Sequence, residues 1–318
     1  MKKLIQGIHH VTALADDAQK NVDFYAGILG LRLVKKTVNY DAPDVYHLYY
    51  GDEVGSPGTI MTFFPYAGLA RGRHGKGQVT VTSFSVRDTS LDYWLKRLQK
   101  FNIKFTRPQQ RFDQEIFIYF HDAHGLGLEL VFTKNDERPG FTYRQIPPEH
   151  AVRGLYSVSI AEEGYERTAG LLLKGLDHQL ISEKGNRFRY STSGKPGDLV
   201  DILCSPDDLR GLSGSGTVHH LAFDAADDSA QLEVREKLLL LGLNVTPVLD
   251  RQYFHSIYFR EPGGVLFEVA TRPPGFLIDE DRTHLGETLK LPAWLESSRT
   301  GIEKGLQPIE VETKKFMD

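Results

Sequence analysis

Two stretches decide how this chain folds: "GIHHVTAL", Gly7 to Leu14, and "TVHHLAFD", Thr217 to Asp224. Each sets a pair of adjacent histidines at the start of a run that reads as a β-strand, and the chain has only twelve histidines to place. Working outward from the first pair, Val22, Tyr25, Ile28 and Leu29 recur at helical spacing, and Gly30 stands where it can end the helix. Extended runs follow in "LRLVKKTV", "VYHLYYGD" and, after the turn-forming "GSPG", "TIMTFF". The order is strand, helix, three strands.

That order recurs. From Gln78 come "QVTVTSFSV", the helical "SLDYWLKRLQKFNI", "KFTRP", "EIFIYFHD" and "LGLELVF". From Gly154 come "GLYSVSI", "GYERTAGLLLKGL" (its helix weakened by Gly170 and Gly175), "DHQLISEK", "RFRYST" and "DLVDILC". From the second histidine pair come "SAQLEVREKLLLLGL", "NVTPV", "HSIYFRE" and "GVLFEVA". The fold class is therefore α+β, with four βαβββ units at 1–70, 77–135, 153–206 and 216–271 forming two paired modules with cupped mixed sheets. Asn135 to Gly154, rich in Pro, Gly and charge, reads as the connection between the halves of the chain. A tail at 272–318 lies outside the repeat and is expected to close over one module, with its last fifteen residues mobile.

Composition excludes several classes of function. A net charge of −4 with scattered Lys and Arg argues against a nucleic-acid partner. No apolar run approaches the ~20 residues of a membrane span. The single cysteine, Cys204, excludes an internal disulfide framework and suits a reducing compartment, so a cytoplasmic protein is expected.

Superposing the units locates the chemistry. At the second histidine of each first strand, unit one has His10, unit four His220 and unit three Ser157, with a small or hydroxyl residue near Ser83 in unit two. Four residues after the glycine that opens each last strand stand Thr62, Glu129, Asp201 and Glu268. Only units one and four carry histidines, and between them Glu268 is the only such carboxylate. His10, His220 and Glu268 make the two-imidazole, one-carboxylate set that leaves positions open on a non-haem Fe(II). Units one and four must then share a module, leaving Glu129 and Asp201 as structural residues of the other. Strand alternation turns His10, Thr12 and His220 into the cup and His9 and His219 away from it. Arg251, Tyr253, His255 and Tyr258 are the polar residues expected near its mouth, whereas His47, His121, His124, His150, His178 and His284 read as solvated loop or strand-end residues.

The units, with "FYAGILGLRLV" and "PGGVLFE", resemble the vicinal oxygen chelate superfamily of glyoxalases, bleomycin-resistance proteins and extradiol dioxygenases. Through "IHHVT", "VKKTVNYDAPDVYHLYYGDEVGSPGTIMTFFP", "GNRFRY", "VHHLAF" and "REPGGVLFE", nearly the whole chain is similar to the hydroquinone ring-cleaving dioxygenases. That resemblance implies Fe(II) on His10, His220 and Glu268, with His9, Thr12, His219, Arg251 and Tyr258 as supporting catalytic residues. It implies a small aromatic diol and O2 as partners and a role in removing quinones and related aromatics; self-association into a homo-oligomer is left open. The segment "RQYFHSIYF" departs from the family pattern, which leaves the choice between hydroquinone and catechol open. Two other classes compete: a glyoxalase-like isomerase or thiol transferase, for which Thr62 is the missing second carboxylate, and a non-catalytic aromatic-binding protein.

Overall fold

The computed structural model describes residues 3–112, 114–141 and 145–317. The first quarter of the chain forms β1 (Ile5–Ala15), β2 (Arg32–Asn39), β3 (Ala42–Gly51) and β4 (Ile60–Pro65). The second forms β5 (Gln78–Val86), β6 (Gln109–Arg111), β7 (Glu115–His121) and β8 (Gly127–Phe132). The third forms β9 (Gly154–Glu162), β10 (Gln179–Lys184), β11 (Arg187–Ser191) and β12 (Leu199–Cys204). The fourth forms β13 (Val218–Ala225), β14 (Leu249–Asp250), β15 (Phe254–Arg260) and β16 (Leu266–Pro274). Between first and second strands lie α1 (Ala18–Val22), α2 (Leu91–Lys100), α3 (Glu166–Gly175) and α4 (Asp228–Leu240), and α5 (Arg299–Gly305) lies in the tail.

The strands make two curled, mixed sheets of eight, ordered β14-β15-β16-β13-β1-β4-β3-β2 and β10-β11-β12-β9-β5-β8-β7-β6. At the centre of the first, β1 and β13 run antiparallel, each flanked by a parallel partner, β4 and β16. The two histidine pairs therefore lie side by side. Alternating apolar residues such as Ile8, Val11, Leu221 and Phe223 are fully buried, in a hydrophobic core that runs through both sheets.

The ladder of β1 with β13 shifts register at three places, two of them at the histidine pairs. Ile8 pairs with Phe223 and His10 with Ala222, so His9 is an extra residue in β1; Thr12 pairs with His220 and Ala13 with Val218, so His219 is an extra residue in β13. The second sheet repeats the pattern at Thr80 and Tyr156. Because Ser83 faces Glu129 as Ala222 faces Glu268, the unit-two counterpart of His220 is Val81, two residues before the position near Ser83.

Other local expectations change for identifiable reasons. The first helix is α-helical for one turn and continues as a π-helix over Asp23–Ile28, and the Ile28 and Gly27 carbonyls at its end accept from the buried Arg97 guanidinium. "KFTRP" and "NVTPV" do not form strands; only β6 and β14 follow them, since Pro108 and Pro247 have no N–H for a ladder. Thr106 and Thr246 take the ladder's place there, each accepting on its side-chain oxygen from the backbone N–H of a tyrosine, Tyr119 and Tyr258. The tail packs rather than drifts: Phe316 is buried over Gly27, its carbonyl accepts from Arg97, and Gln19 and Glu310 exchange hydrogen bonds. Further up the tail, Asp279 and Glu280 grip the ammonium of Lys35, which is fully buried on β2.

Candidate metal centre

Nε2 of His10, Nε2 of His220 and Oε2 of Glu268 form a triangle with edges of 3.2, 3.4 and 3.0 Å. Among the described residues it is the one group of three or more such side chains that converges enough to hold a metal ion. Donors about 2.1 Å from an ion and at right angles to one another stand about 3 Å apart, so the triangle fits one face of an octahedron. The remaining hydrogen bonding fits as well. Glu268 Oε1 accepts from Ser256 at 2.6 Å, whereas Oε2 is buried with no hydrogen-bond donor, the atom a cation would satisfy. Burial alone would raise the Glu268 carboxyl, but the imidazoles of His10 and His220 together hold it well below the usual carboxylate range. Burial also lowers His220, keeping it the neutral imidazole that coordinates.

The bulges overturn the alternation expected for the first histidine of each pair. His9 Nδ1 lies 2.9 Å from His10 Nδ1, and His219 Nδ1 lies 2.8 Å from His220 Nδ1. With Nε2 directed at the centre, each inner histidine carries its proton on Nδ1 and donates it to the outer one, fixing ring and tautomer. His9 also hydrogen-bonds the Thr271 backbone, and its ring packs edge-on against Phe254. Burial, then the adjacent imidazole, lowers His9 and His219 to about 3 each, so both are neutral acceptors.

A cavity of about 420 Å³ opens on the triangle. Phe64, Phe254, Leu249 and Leu266 form apolar walls, and His219, Arg251 and Tyr258 border it while His9 and Thr12 do not. The Arg251 guanidinium lies 5.4 Å from the centre of the Tyr258 ring and reaches Asp41 at 3.2 Å. Burial, then the Glu268 charge, raises the Tyr258 phenol, which stays protonated. Thr12 sits behind His10, its hydroxyl 3.2 Å from that of Thr62. Tyr253 lies outside the cavity, donating to Asp279 beneath the Lys35 ammonium, and His255 is at the surface with Asp228. A larger hollow, about 1320 Å³, lies elsewhere between Arg32, Glu53, Phe141 and Lys314 and holds none of the triangle.

Three histidines read as solvated are enclosed. His124 pairs with Asp16, His178 is buried against Phe223, and His47 borders the cavity. His47 is the residue of most consequence that was missed. Its available signal was its place two residues before Tyr49, matching Ser256 before Tyr258.

Among the described residues the second sheet has no such centre. Glu129 and Asp201 occupy the equivalent places but are taken up by guanidinium groups, Arg111 on Glu129 and Arg187 and Arg189 on Asp201, with Glu115 between Arg111 and Arg189.

Comparison with known proteins agrees with this architecture. Residues 7–130 match the model of the Glyoxalase/Bleomycin resistance protein/Dioxygenase superfamily. The chain is 46% identical to a Bacillus subtilis protein named "Putative ring-cleaving dioxygenase MhqO", over 98% of this chain and 99% of that one. It is 35% identical to the chlorohydroquinone/hydroquinone 1,2-dioxygenase of Sphingobium indicum, over 92% and 93% of the two chains. A crystal structure of a Bacillus subtilis protein described as a dioxygenase superposes with a TM-score of 0.94 at 46% identity, covering 98% of this chain and 99% of that one. Maize glyoxalase I, at 13% identity and a TM-score of 0.64 over 84% and 92%, shares the fold. With these relatives and a two-histidine, one-glutamate centre, the chain belongs to the glyoxalase/bleomycin resistance protein/dioxygenase superfamily, as an enzyme of its ring-cleaving dioxygenase group.

Proposed function

We propose that this enzyme is an Fe(II)-dependent extradiol-type dioxygenase that opens hydroquinone-type rings with O2. The observation that carries the reading is the three-donor face at the end of an apolar, aromatic-walled cavity, with Thr62 where a fourth protein ligand would stand. His10, His220 and Glu268 hold the ion, and when bound it supplies a Lewis acid that lowers a phenol's pKa and leaves adjacent positions for ring oxygen and O2. Phe64 and Phe254 sandwich the ring's approach and keep water from it. Arg251 and Tyr258 stand beside Glu268 and orient an oxygen substituent with a fixed charge and a hydroxyl donor. His9 and His219 act first by fixing the ligand imidazoles; His219, which also borders the cavity, is the one placed to meet substrate.

Anaerobic reconstitution with Fe(II), followed by methylhydroquinone, chlorohydroquinone or catechol and measurement of oxygen uptake and product spectra, tests this. Uptake with a para-diphenol, lost in His10→Ala and Glu268→Ala, is expected. No uptake with any diphenol, together with turnover of a thiol adduct by the Zn²⁺- or Ni²⁺-loaded protein, would replace it with the isomerase reading.

A further inference from the structure

The two walls of the first sheet are counterparts. On β15, Tyr258 faces Glu268 across the ladder, and Ser256, two residues earlier, donates to Glu268 Oε1 at 2.6 Å. On β3, Tyr49 faces Thr62 across the ladder, and His47, two residues earlier, lies with Nε2 2.6 Å from Thr62 Oγ1. The walls thus differ in what they hold, a carboxylate on one side and a threonine on the other. His10, His220 and Glu268 would hold an ion with its one carboxylate on the β16 side, and the short Thr62 would leave the β3 side of the cavity for the ring. The residues bordering that side include His47, Tyr49 and Phe64.

Hydrogen bonds continue from there as a chain. The Tyr49 hydroxyl is 2.8 Å from His47 Nδ1, His47 Nε2 reaches Thr62, and Thr62 reaches Thr12 at 3.2 Å. Tyr49, Thr62 and Thr12 are each no more than 1% exposed, so a proton in the chain needs a partner. Four protons share three links: Thr12 donates to Thr62, Thr62 donates to His47 Nε2, and His47 Nδ1–H donates to the Tyr49 oxygen, an order that pairs every buried proton except that of Tyr49. The Tyr49 O–H, on a side chain that borders the cavity, is then free to donate there. Also on that side, Asn39 donates to the Tyr66 hydroxyl at 2.9 Å.

We propose that the Tyr49 hydroxyl, aimed by His47, donates a hydrogen bond to the substrate's second oxygen, at the end of the ring remote from Glu268. The proposal rests on the dioxygenase reading and deepens it by naming para-diphenols as the class selected. A catechol's second oxygen lies next to the first and points back to the metal, out of reach of Tyr49. Tyr49 meets substrate; His47 is a positioning residue that acts through it.

The test is anaerobic titration of the Fe(II)-loaded enzyme with methylhydroquinone, catechol and phenol, alongside steady-state KM and kcat. Tyr49→Phe should weaken methylhydroquinone binding about tenfold, the loss of one hydrogen bond in a dry cavity. It should leave phenol and catechol within about twofold, and KM should rise more than kcat falls. His47→Phe should reproduce Tyr49→Phe, and His47→Gln, whose amide can still donate to the tyrosine oxygen, should recover part of the loss. Iron content and thermal unfolding confirm that each variant is folded. Equal weakening of phenol and methylhydroquinone, no weakening of either, or a wild-type enzyme that binds no para-diphenol would overturn the assignment. Discrimination at Tyr49 without oxygen uptake would instead sink the dioxygenase reading alone, and uptake unaffected by Tyr49→Phe would sink the Tyr49 assignment alone.

Discussion

Glu129 and Glu268 hold equivalent places in the two sheets, so the same substitution at each should have opposite consequences. Arg111 clasps Glu129 at 3.0 and 2.7 Å, and Ser83 donates to it at 2.6 Å, all out of solvent. Glu129→Ala leaves a buried guanidinium with one carboxylate fewer, a loss of about 3–5 kcal/mol. For 318 residues the unfolding entropy is about 0.7 kcal/mol/K, so the midpoint should fall by roughly 4–8 °C. Glu268→Ala removes a carboxylate that, in metal-free protein, faces only two imidazoles and Ser256, so its midpoint in chelator should move much less. The variants separate when Fe(II) is added anaerobically. An ion at a thousandfold its Kd stabilises by about 4 kcal/mol, a rise of roughly 6 °C. Wild type and Glu129→Ala should both show it, and Glu268→Ala should not. Differential scanning calorimetry with and without metal reads all six values. A Glu129→Ala protein that no longer responds to iron, or a Glu268→Ala protein that still does, would refute the assignment of the two sites.

Three further outcomes are expected. Ser256→Ala frees Glu268 Oε1 from its 2.6 Å hydrogen bond and should lower iron affinity by about tenfold or more, measured by chelator competition. Lys35→Met leaves Asp279 and Glu280 enclosed without their cation; a loss of about 3–5 kcal/mol in denaturant unfolding, with a raised KM from loosening of the Tyr253–Phe254 wall, is expected. Burial and the facing Glu261 raise the Glu162 carboxyl to about 8, above its unfolded range, so the native state binds the extra proton. This group's contribution is therefore full at low pH, declines as pH rises from about 5 to 8 and is level above. Glu162→Gln should remove that decline, seen by comparing denaturation midpoints at pH 6 and 8.5, and an unchanged slope would show that the two carboxyls do not share a proton.

The convergence of His10, His220 and Glu268 was legible because it is written in the repeat: two histidine pairs at equivalent strand starts and Glu268 four residues after Gly264. Pairing of β1 with β13 followed, since only that arrangement brings the three together. The directions of the His9 and His219 side chains were misjudged from strand parity, because a one-residue bulge changes a side chain's direction and nothing in "IHHV" or "VHHL" marks where it falls. The same bulge at Thr80 moved the unit-two counterpart from near Ser83 to Val81. His47 was missed because it sits mid-strand among tyrosines, and what it holds, Thr62, is adjacent only through the β3–β4 ladder. The packing of the last fifteen residues was unreadable for a related reason: Phe316 finds its place over Gly27, nearly three hundred residues away in the chain.

The equivalences also explain why one sheet carries a cluster that could hold a metal ion and the other an ion-pair network. In the second sheet Asp201 stands at the place of Thr62, and Arg189 and Arg187 stand at the places of Tyr49 and His47. Two buried carboxylates, Glu129 and Asp201, with no imidazole nearby would repel each other, and the guanidinium groups that neutralise them fill the cup from the flanking strands. In the first sheet the carboxylate at that place is absent, so its wall needs no cation and can carry a neutral imidazole and a phenol instead. Loss of one carboxylate at Thr62 thus does three things together. It puts a carboxylate on one wall only, keeps the opposite wall uncharged, and leaves a cavity bordered by Tyr49 and Phe64 on that side. A four-ligand centre in the same cup would close that space, which is why the identity of residue 62, more than that of either histidine pair, separates ring-opening chemistry from the isomerase alternative.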